Sequence, residues 1–297
     1  MTATRGFVTI ATGNELYYKI ANNLLCSYRM NAGKYPFAVI CDRKNEYTEA
    51  FDKVILMDHP SNSYMDKLRL YEFIPFEETI FIDADCLVYG NIDEWWELFE
   101  TAGDFSVFGY AIEDMDTKHG WFHPKGMKEF ADRISFVPTY NGGLYYLRNT
   151  EKCAEVFRIA QYCADHYYDY EFAGFSKPAD EPVLALGMAV CGCRPLNKQE
   201  LLFAPKPKDV TVDIVKGIAK RRGDPHNFSL LHWSNYCTRK SLYKFEIGRM
   251  KAFLGKSSRI SRFLFKTKIA KAYLWIYDLG AISYRVLRKI KKMIPLK

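Results

Sequence analysis

The sequence predicts an α/β fold with a mostly parallel central sheet, and three observations carry that reading. Short β-rich apolar runs alternate with stretches of helical spacing through the first half of the chain. One run, Thr79-Ile80-Phe81-Ile82, is almost wholly apolar, as a strand covered on both faces must be. The 297 residues are 48% hydrophobic and 26% charged, enough to bury a sizeable core and incompatible with a disordered or fibrous chain.

Phe7 to Thr12 reads as the first strand, and Asn14 is placed to cap a helix running to about Met30, with Ile20, Leu24 and Tyr28 on one stripe. Phe37 to Cys41 and Val54 to Met57 are the next strands. Tyr64 to Phe73 has helical spacing in Leu68 and Tyr71, and Pro75 closes it. Thr79 to Ile82 is the buried strand that runs into Asp83. Phe105 to Tyr110 and Gly143 to Leu147 follow as strands, then Glu151 to His166 as a helix with Cys153, Val156, Phe157 and Ala160 inward. Glu181 to Cys191 is a further helix and Phe228 to His232 a late strand. Residues 111–139 and 206–227 are polar, carry Gly and Pro, show no period and read as long loops, a class that in compact domains is usually functional or mobile.

Charge divides the chain in two. Arg249 to Lys297 holds 14 basic residues and one acidic residue, Asp278, whereas residues 1–248 have a balance of −6. An acidic body, 1–248, therefore precedes a basic tail, 249–297. The acidic body argues against a nucleic-acid enzyme, which would carry its basic face on the main domain. No charged start, apolar core and cleavage site are visible at the N-terminus, and Ala272 to Tyr284 is shorter than the roughly 18–20 apolar residues of a spanning helix. Eight irregularly spaced cysteines read as reduced thiols, and the expectation is a cytoplasmic protein.

The chemistry begins at Asp83-Ala84-Asp85, where two carboxylates emerge as a buried strand ends. In open α/β sheets that edge is where ligands bind. Adjacent like charges there need a cation or solvent, and a hard divalent ion with oxygen ligands, Mg²⁺ or Mn²⁺, is the natural partner. Two solvated loop aspartates are the commoner meaning of an isolated triplet. Asn141-Gly142-Gly143 before a strand is either a close ligand approach or an ordinary turn. Asp180-Glu181 at a helix start is either a dipole-favouring pair or two carboxylates aimed at a ligand, and His232 is either packed in the core or a ligand.

Taken in order, these residues carry a resemblance. Gly13-Asn14-Glu15-Leu16-Tyr17 after the first strand, Lys67-Leu68-Arg69-Leu70-Tyr71-Glu72, Ile80 to Val88, Gly90-Asn91-Ile92-Asp93-Glu94, Asn141-Gly142-Gly143-Leu144, Asp180-Glu181 and His232 follow one another as in GT-A glycosyltransferases. The set resembles glycosyltransferase family eight, the group of glycogenin and the bacterial lipooligosaccharide galactosyltransferases, over about residues 6–245.

The resemblance implies a GT-A fold and a hexose transfer from a nucleotide diphosphate sugar, UDP-glucose or UDP-galactose, with retention. It implies that Asp83, Asp85 and His232 hold Mn²⁺ or Mg²⁺, which bridges the diphosphate as a Lewis acid. Ile10, Ala11, Thr12 and Tyr17 would receive the uridine, with Tyr17 stacking on the base, and Lys67 and Ala84 would meet the donor. Asn141, Gly142 and Gly143 would border the donor sugar. Asp180 would bind its hydroxyls, and Glu181 would stand beside the reacting carbon and stabilise oxocarbenium-like charge. Two departures stand out. Gly13-Asn14 occupies the place of an Asp that reads the uracil, and the run after His232 lacks the usual Gly-x-x-Lys-Pro-Trp, leaving Arg239 or Lys240 as a diphosphate clamp.

In the tail, bulky apolar residues such as Phe253, Phe263, Leu264, Trp275 and Ile290 are interleaved with Lys and Arg at helical spacing, which fits helices in an anionic membrane interface. A solvated helical subdomain, nucleic-acid binding and partner recruitment compete for that stretch. The expectation is a peripheral enzyme on the cytoplasmic membrane face, acting on a glycolipid or surface-polysaccharide acceptor. A nucleotidyltransferase would need a phosphate-cradling loop that Ala11-Thr12-Gly13-Asn14 does not supply, and a non-catalytic membrane adaptor with a transferase-like fold is the other alternative.

Overall fold

The computed structural model describes residues 4–117, 119–203, 206, 209–266 and 272. Its main sheet has the order β3-β2-β1-β4-β9-β6, from β1 (Arg5–Ala11), β2 (Phe37–Cys41), β3 (Lys53–Leu56), β4 (Glu78–Ile82), β6 (Phe105–Ser106) and β9 (Leu144–Arg148). The first four pair in parallel, and β9 runs antiparallel to both β4 and β6. The fold is thus the expected α/β class with a mostly parallel sheet.

Period-two alternation splits the strands between two cores. Phe7, Phe37, Val39, Ile80 and Ile82 face one apolar cluster, shared with α1 (Glu15–Asn31) and α3 (Trp95–Phe99). Val8, Ala38, Ile40 and Phe81 face the other, shared with α4 (Glu151–Asp165) and α5 (Asp180–Val190). Asn14 caps α1 as its sequence position predicts, its side chain accepting from the Leu16 N–H.

From β1 the chain moves outward to β2 and β3, then returns across β1 to β4. The carboxyl ends of β1 and β4 therefore flank a topological switch point, where the sheet leaves a crevice. A second sheet, β10-β13-β5, is entered just past the end of β4 and is built from β5 (Cys86–Val88), β10 (Leu201–Phe203) and β13 (Leu230–His232).

Several sequence expectations are corrected. The strand expected over Phe105 to Tyr110 breaks at Val107: β6 stays in the main sheet, while β7 (Gly109–Ile112) pairs with β8 (Val137–Tyr140) outside it. Segment 111–139 is thus partly strand, and 3-10 turns at Pro124–Gly126 and Lys128–Arg133 fill much of the rest. Connection 206–227 contains a hairpin, β11 (Val210–Asp213) with β12 (Ile218–Arg221). Both were illegible because these strands are four residues long and polar on one face. Tyr64 to Phe73 is a 3-10 helix over Tyr64–Arg69, and only Leu70–Phe73 (α2) is α-helical.

After β13 come α6 (Ser234–Thr238), α7 (Ser241–Phe253) and α8 (Arg259–Lys266). Helix α7 runs through residues 248 and 249, and Arg249 pairs with Asp213 of β11 at 2.8 Å. Phe253 and Phe263 are more than half exposed. The tail reading from residue 267 onward, including Trp275 and Ile290, lies outside the described residues apart from Ala272. Among the described residues no helix is long and apolar enough to cross a membrane, and all eight cysteines are free thiols.

Candidate active site

β4 is buried as far as Ile82, and there the chain must turn. The Asp83 N–H donates to the Gly143 carbonyl at 3.0 Å, and the Cys86 N–H closes back on the Asp83 carbonyl at 3.0 Å. This turn delivers the chain into β5, which pairs antiparallel with β13 so that Cys86 lies opposite His232. The Trp233 N–H completes the clamp on the Asp85 carbonyl at 3.1 Å. Sheet register therefore brings the two carboxylates and the late histidine together.

His232 Nε2 lies 3.1 Å from Asp85 Oδ1 and 3.8 Å from Asp83 Oδ2. Its other ring nitrogen, Nδ1, lies 2.6 Å from Asn141 Oδ1, an oxygen that also accepts the Gly143 N–H at 3.1 Å. An amide oxygen only accepts, so Nδ1 carries the proton and Nε2 is the nitrogen turned to the carboxylates.

The other wall is a buried cation between two acids. Lys67 Nζ lies 2.8 Å from Asp83 Oδ2, 2.9 Å from Asp180 Oδ2 and 3.1 Å from the Gly142 carbonyl. Tyr145 donates its hydroxyl to the same Asp180 oxygen at 3.0 Å. Glu181, next on the first turn of α5, accepts the Gly142 N–H at 2.6 Å, while its carbonyl accepts from the Tyr140 hydroxyl at 2.9 Å. The cluster Lys67, Asp83, Asp85, Asn141, Gly142, Gly143, Asp180, Glu181 and His232 is thus one connected network.

Burial governs its electrostatics. It pushes the Asp83 carboxyl up to about 6; Lys67 opposes this and Asp85 adds to it. Burial also raises Asp85, but the facing His232 outweighs it and leaves that carboxyl below its ordinary range. Burial lowers His232, and Asp85 more than reverses this, so the imidazole is raised. Burial lowers Lys67 too, and Asp180 and Asp83 overcome it, so the ammonium stays charged. Glu181 is raised by burial and then by Asp180.

A divalent ion fits this donor set. Two partly buried carboxylates and an imidazole presented through Nε2, with Nδ1 already tied to Asn141, form a ligand set of suitable chemistry and tautomer. Among the described residues the group whose potential metal-binding atoms all lie within 4.8 Å of one another is Asp85, Cys86 and His232. Cys86 is the weaker third member: burial raises its thiol well above the ordinary value, and Sγ points at the Gly143 carbonyl 3.9 Å away. Asp83 is the other carboxylate near the imidazole, its Oδ2 3.8 Å from His232 Nε2.

A cleft of about 220 Å³ opens from this cluster along the switch point. Asp83, Ala84, Asp85 and Lys67 line it together with Ile10, Thr12, Tyr17, Ile20, Asn62, Ser63 and Tyr64. Ala11 is buried and is not among the lining residues. Lys240 caps α7, its N–H donating to the Cys237 carbonyl at 3.0 Å, and it is not among the cleft-lining residues. The glycine pair is required by the protein's own side chains: a Cβ at Gly142 would sit 2.6 Å from Glu181 Cγ and one at Gly143 would sit 2.7 Å from His232 Nδ1.

Sequence reasoning missed the loop Asn62–Tyr64, the Tyr145 support of Asp180, and Asp66. The Asp66 carboxylate is buried and accepts from Thr12 Oγ1 at 2.8 Å. An acid directly before Lys67 on a strongly bent segment was the available signal.

No family model matches the sequence. Galactinol synthase 2 of Solanum lycopersicum is 26% identical over 140 residues, which is 41% of this chain and 40% of that protein. Galactinol synthase 5 of Arabidopsis thaliana is 28% identical over 141 residues, 39% of each chain. The chain thus aligns with about two fifths of the length of these curated relatives. Among solved structures it is similar to the galactosyltransferase LgtC in complex with donor and acceptor sugar analogues, at 13% identity and a TM-score of 0.48, covering 86% of this chain and 99% of that one. It is also similar to mouse xyloside xylosyltransferase 1 in its apo form, at 12% identity and a TM-score of 0.41, covering 78% and 98%.

Proposed function

We propose that this protein is a metal-dependent glycosyltransferase that moves a hexose from a nucleotide diphosphate sugar, UDP-glucose or UDP-galactose, to a glycan or glycolipid acceptor. The observation that carries the reading is the network in which Asp83 and Asp85 meet His232 on one side and Lys67–Asp180 on the other, at the mouth of a switch-point cleft.

Asp83, Asp85 and His232 hold Mn²⁺ or Mg²⁺ in this reading, and the bound ion supplies Lewis-acid neutralisation of the leaving diphosphate. Lys67 keeps Asp83 and Asp180 oriented and adds positive charge beside the phosphates. Asp180, held by Lys67 and Tyr145, presents its carboxylate to sugar hydroxyls. Glu181 is fixed by the Gly142 N–H and stabilises positive charge at the reacting carbon. Ile10, Ala11, Thr12 and Tyr17 form the nucleoside end, Asn141, Gly142 and Gly143 the sugar border, and Lys240 a diphosphate clamp drawn in when the donor binds. Residues 249–297 dock on an anionic membrane surface and place the enzyme there on the cytoplasmic face; Phe253 and Phe263, exposed among basic residues, support this.

Calorimetric titration with UDP in the presence of Mn²⁺ and of chelator tests the site. Binding that needs the ion and disappears in Asp85→Ala supports it, and ion-independent binding contradicts it. Retention on anionic liposomes, lost when the chain is cut after residue 258 so that α7 stays whole, tests the membrane role.

A further inference from the structure

Resting on the membrane-docking reading and naming the place of contact, we infer that a groove between α1 and α7 seats the head of an anionic phospholipid, with Lys19, Lys244 and Lys251 around its phosphate and an apolar floor under its glycerol and upper acyl carbons.

Two helical stripes make the groove. On α1, Leu16, Lys19, Ile20 and Asn23 recur at three- and four-residue spacing and share one face; on α7, Tyr243, Ile247 and Lys251 recur every four. These residues line a cavity of about 320 Å³, within the range of small-molecule sites, roughly 300–1,000 Å³. The Asn23 side-chain amide donates to the Tyr243 hydroxyl at 3.4 Å and ties the two helices together. Asn22 donates to the Tyr47 carbonyl at 3.0 Å, and Tyr47 adds a further wall.

Leu16, Ile20, Tyr47 and Ile247 supply apolar surface, and the described lining holds three lysines and no carboxylate. Two acids stand outside it on the α1 side: Glu15 pairs with Lys19 at 2.8 Å, and Glu46 interacts with the Tyr47 hydroxyl. The positive surplus therefore lies on the α7 wall, with Lys244 and Lys251. A lysine keeps its ammonium in water while its methylenes cover apolar surface. A phospholipid head matches both features, because it joins one phosphate charge to an apolar body.

The neighbouring surface favours a lipid over an acidic peptide. Phe253 follows Lys251 by two residues and is 62% exposed. Helix α8 folds back on α7, with Phe265 against Phe245 and over Gly248, where a Cβ would collide with the Phe265 ring. That packing uses Phe265 and leaves Phe263 65% exposed on a helix that begins with the exposed Arg259. Large apolar side chains exposed among cations suit the interfacial layer of an anionic membrane. Ile20 lines both this groove and the donor cleft, so a lipid held here fixes the cleft at the membrane surface.

The test sediments the full chain with phosphatidylcholine vesicles carrying or lacking phosphatidylglycerol, and titrates it calorimetrically with soluble dihexanoylphosphatidylglycerol. Wild type is compared with Lys244→Gln/Lys251→Gln and with Lys152→Gln/Lys177→Gln, an equal loss of charge at exposed positions outside the groove, and circular dichroism confirms folding. The groove variant should bind phosphatidylglycerol vesicles about tenfold or more weakly than wild type and give no heat with the soluble lipid. The control should stay within about twofold of wild type on vesicles. If both variants weaken alike, or the groove variant keeps wild-type binding of the soluble lipid, the inference is overturned while the membrane reading stands. Binding of a poly-glutamate peptide as tight as that of the lipid would make the groove a peptide site and overturn it as well. If the wild type ignores phosphatidylglycerol vesicles, the membrane reading falls and the inference falls with it.

Discussion

Asn141, in the turn before β9, and His232, the last residue of β13, are joined by a 2.6 Å contact between Oδ1 and Nδ1 that decides which imidazole nitrogen faces the carboxylates. Losing the partner that orients a ligating histidine costs about 10–100-fold in metal affinity. Asn141→Ala should therefore weaken Mn²⁺ binding by that range in a spectroscopic titration, and Asn141→Asp, which still accepts, should stay near wild type. Unchanged binding in Asn141→Ala would mean that the imidazole needs no such orientation.

Lys67 neutralises the buried Asp180 and the partly buried Asp83 at once. Breaking a buried pair by removing one partner costs about 3–5 kcal/mol. Lys67→Met should lower the denaturation midpoint accordingly, and Mn²⁺ should recover more stability in the variant than in wild type, because the ion restores positive charge beside Asp83. A midpoint equal to wild type would show that solvent already screens the cluster.

Gly143 leaves no room for a side chain: its Cβ would lie 2.7 Å from His232 Nδ1 and 2.9 Å from Asn141 Oδ1. Gly143→Ala should keep the fold, judged by circular dichroism, yet reduce Mn²⁺ affinity by about tenfold or more as the imidazole is displaced. An alanine variant with wild-type affinity would show that the 141–143 turn yields freely.

Glu246, on α7 far from the cleft chemistry, sets a pH dependence of stability. Burial pushes its carboxyl from 4.5 to about 7, against the pull of the Ile214 N–H and Arg249. Below about pH 4.5 it is protonated in both folded and unfolded chains. Between 4.5 and 7 the unfolded chain ionises first, so rising pH removes stability across that window, and the loss is complete above 7. Glu246→Gln, which still accepts from Ile214, should be more stable than wild type at pH 8 by up to about 3 kcal/mol, with the gain vanishing near pH 4.5. Urea midpoints at the two pH values check this, and a constant difference between them would contradict it.

Much of the architecture was legible because burial on both faces writes itself into composition. Thr79 to Ile82 could only be a covered strand, and Asp83-Ala84-Asp85 had to emerge at its end. The position of His232 was legible from order alone, but its partner was not, since the Asn141 contact depends on β4–β9 and β5–β13 pairing in different sheets. The four-residue hairpin strands β11 and β12 carry too few residues for a period to stand out. The glycine pair is legible in the sequence only as a close ligand approach or an ordinary turn, whereas His232, Glu181 and Tyr145 fill the space that a Cβ would take. Asp66 went unnoticed because an acid beside Lys67 looks like surface charge until Thr12 and Ser61 close over it.

Release of free UDP from a panel of UDP-sugars, followed with Mn²⁺ and with chelator in wild type and Asp85→Ala, tests the central claim most directly. The account predicts turnover of UDP-glucose or UDP-galactose that requires the ion and is lost in the folded variant. Turnover indifferent to chelator and to Asp85, or no turnover of any donor by folded, metal-loaded wild type supplied with glycan acceptors, would contradict it.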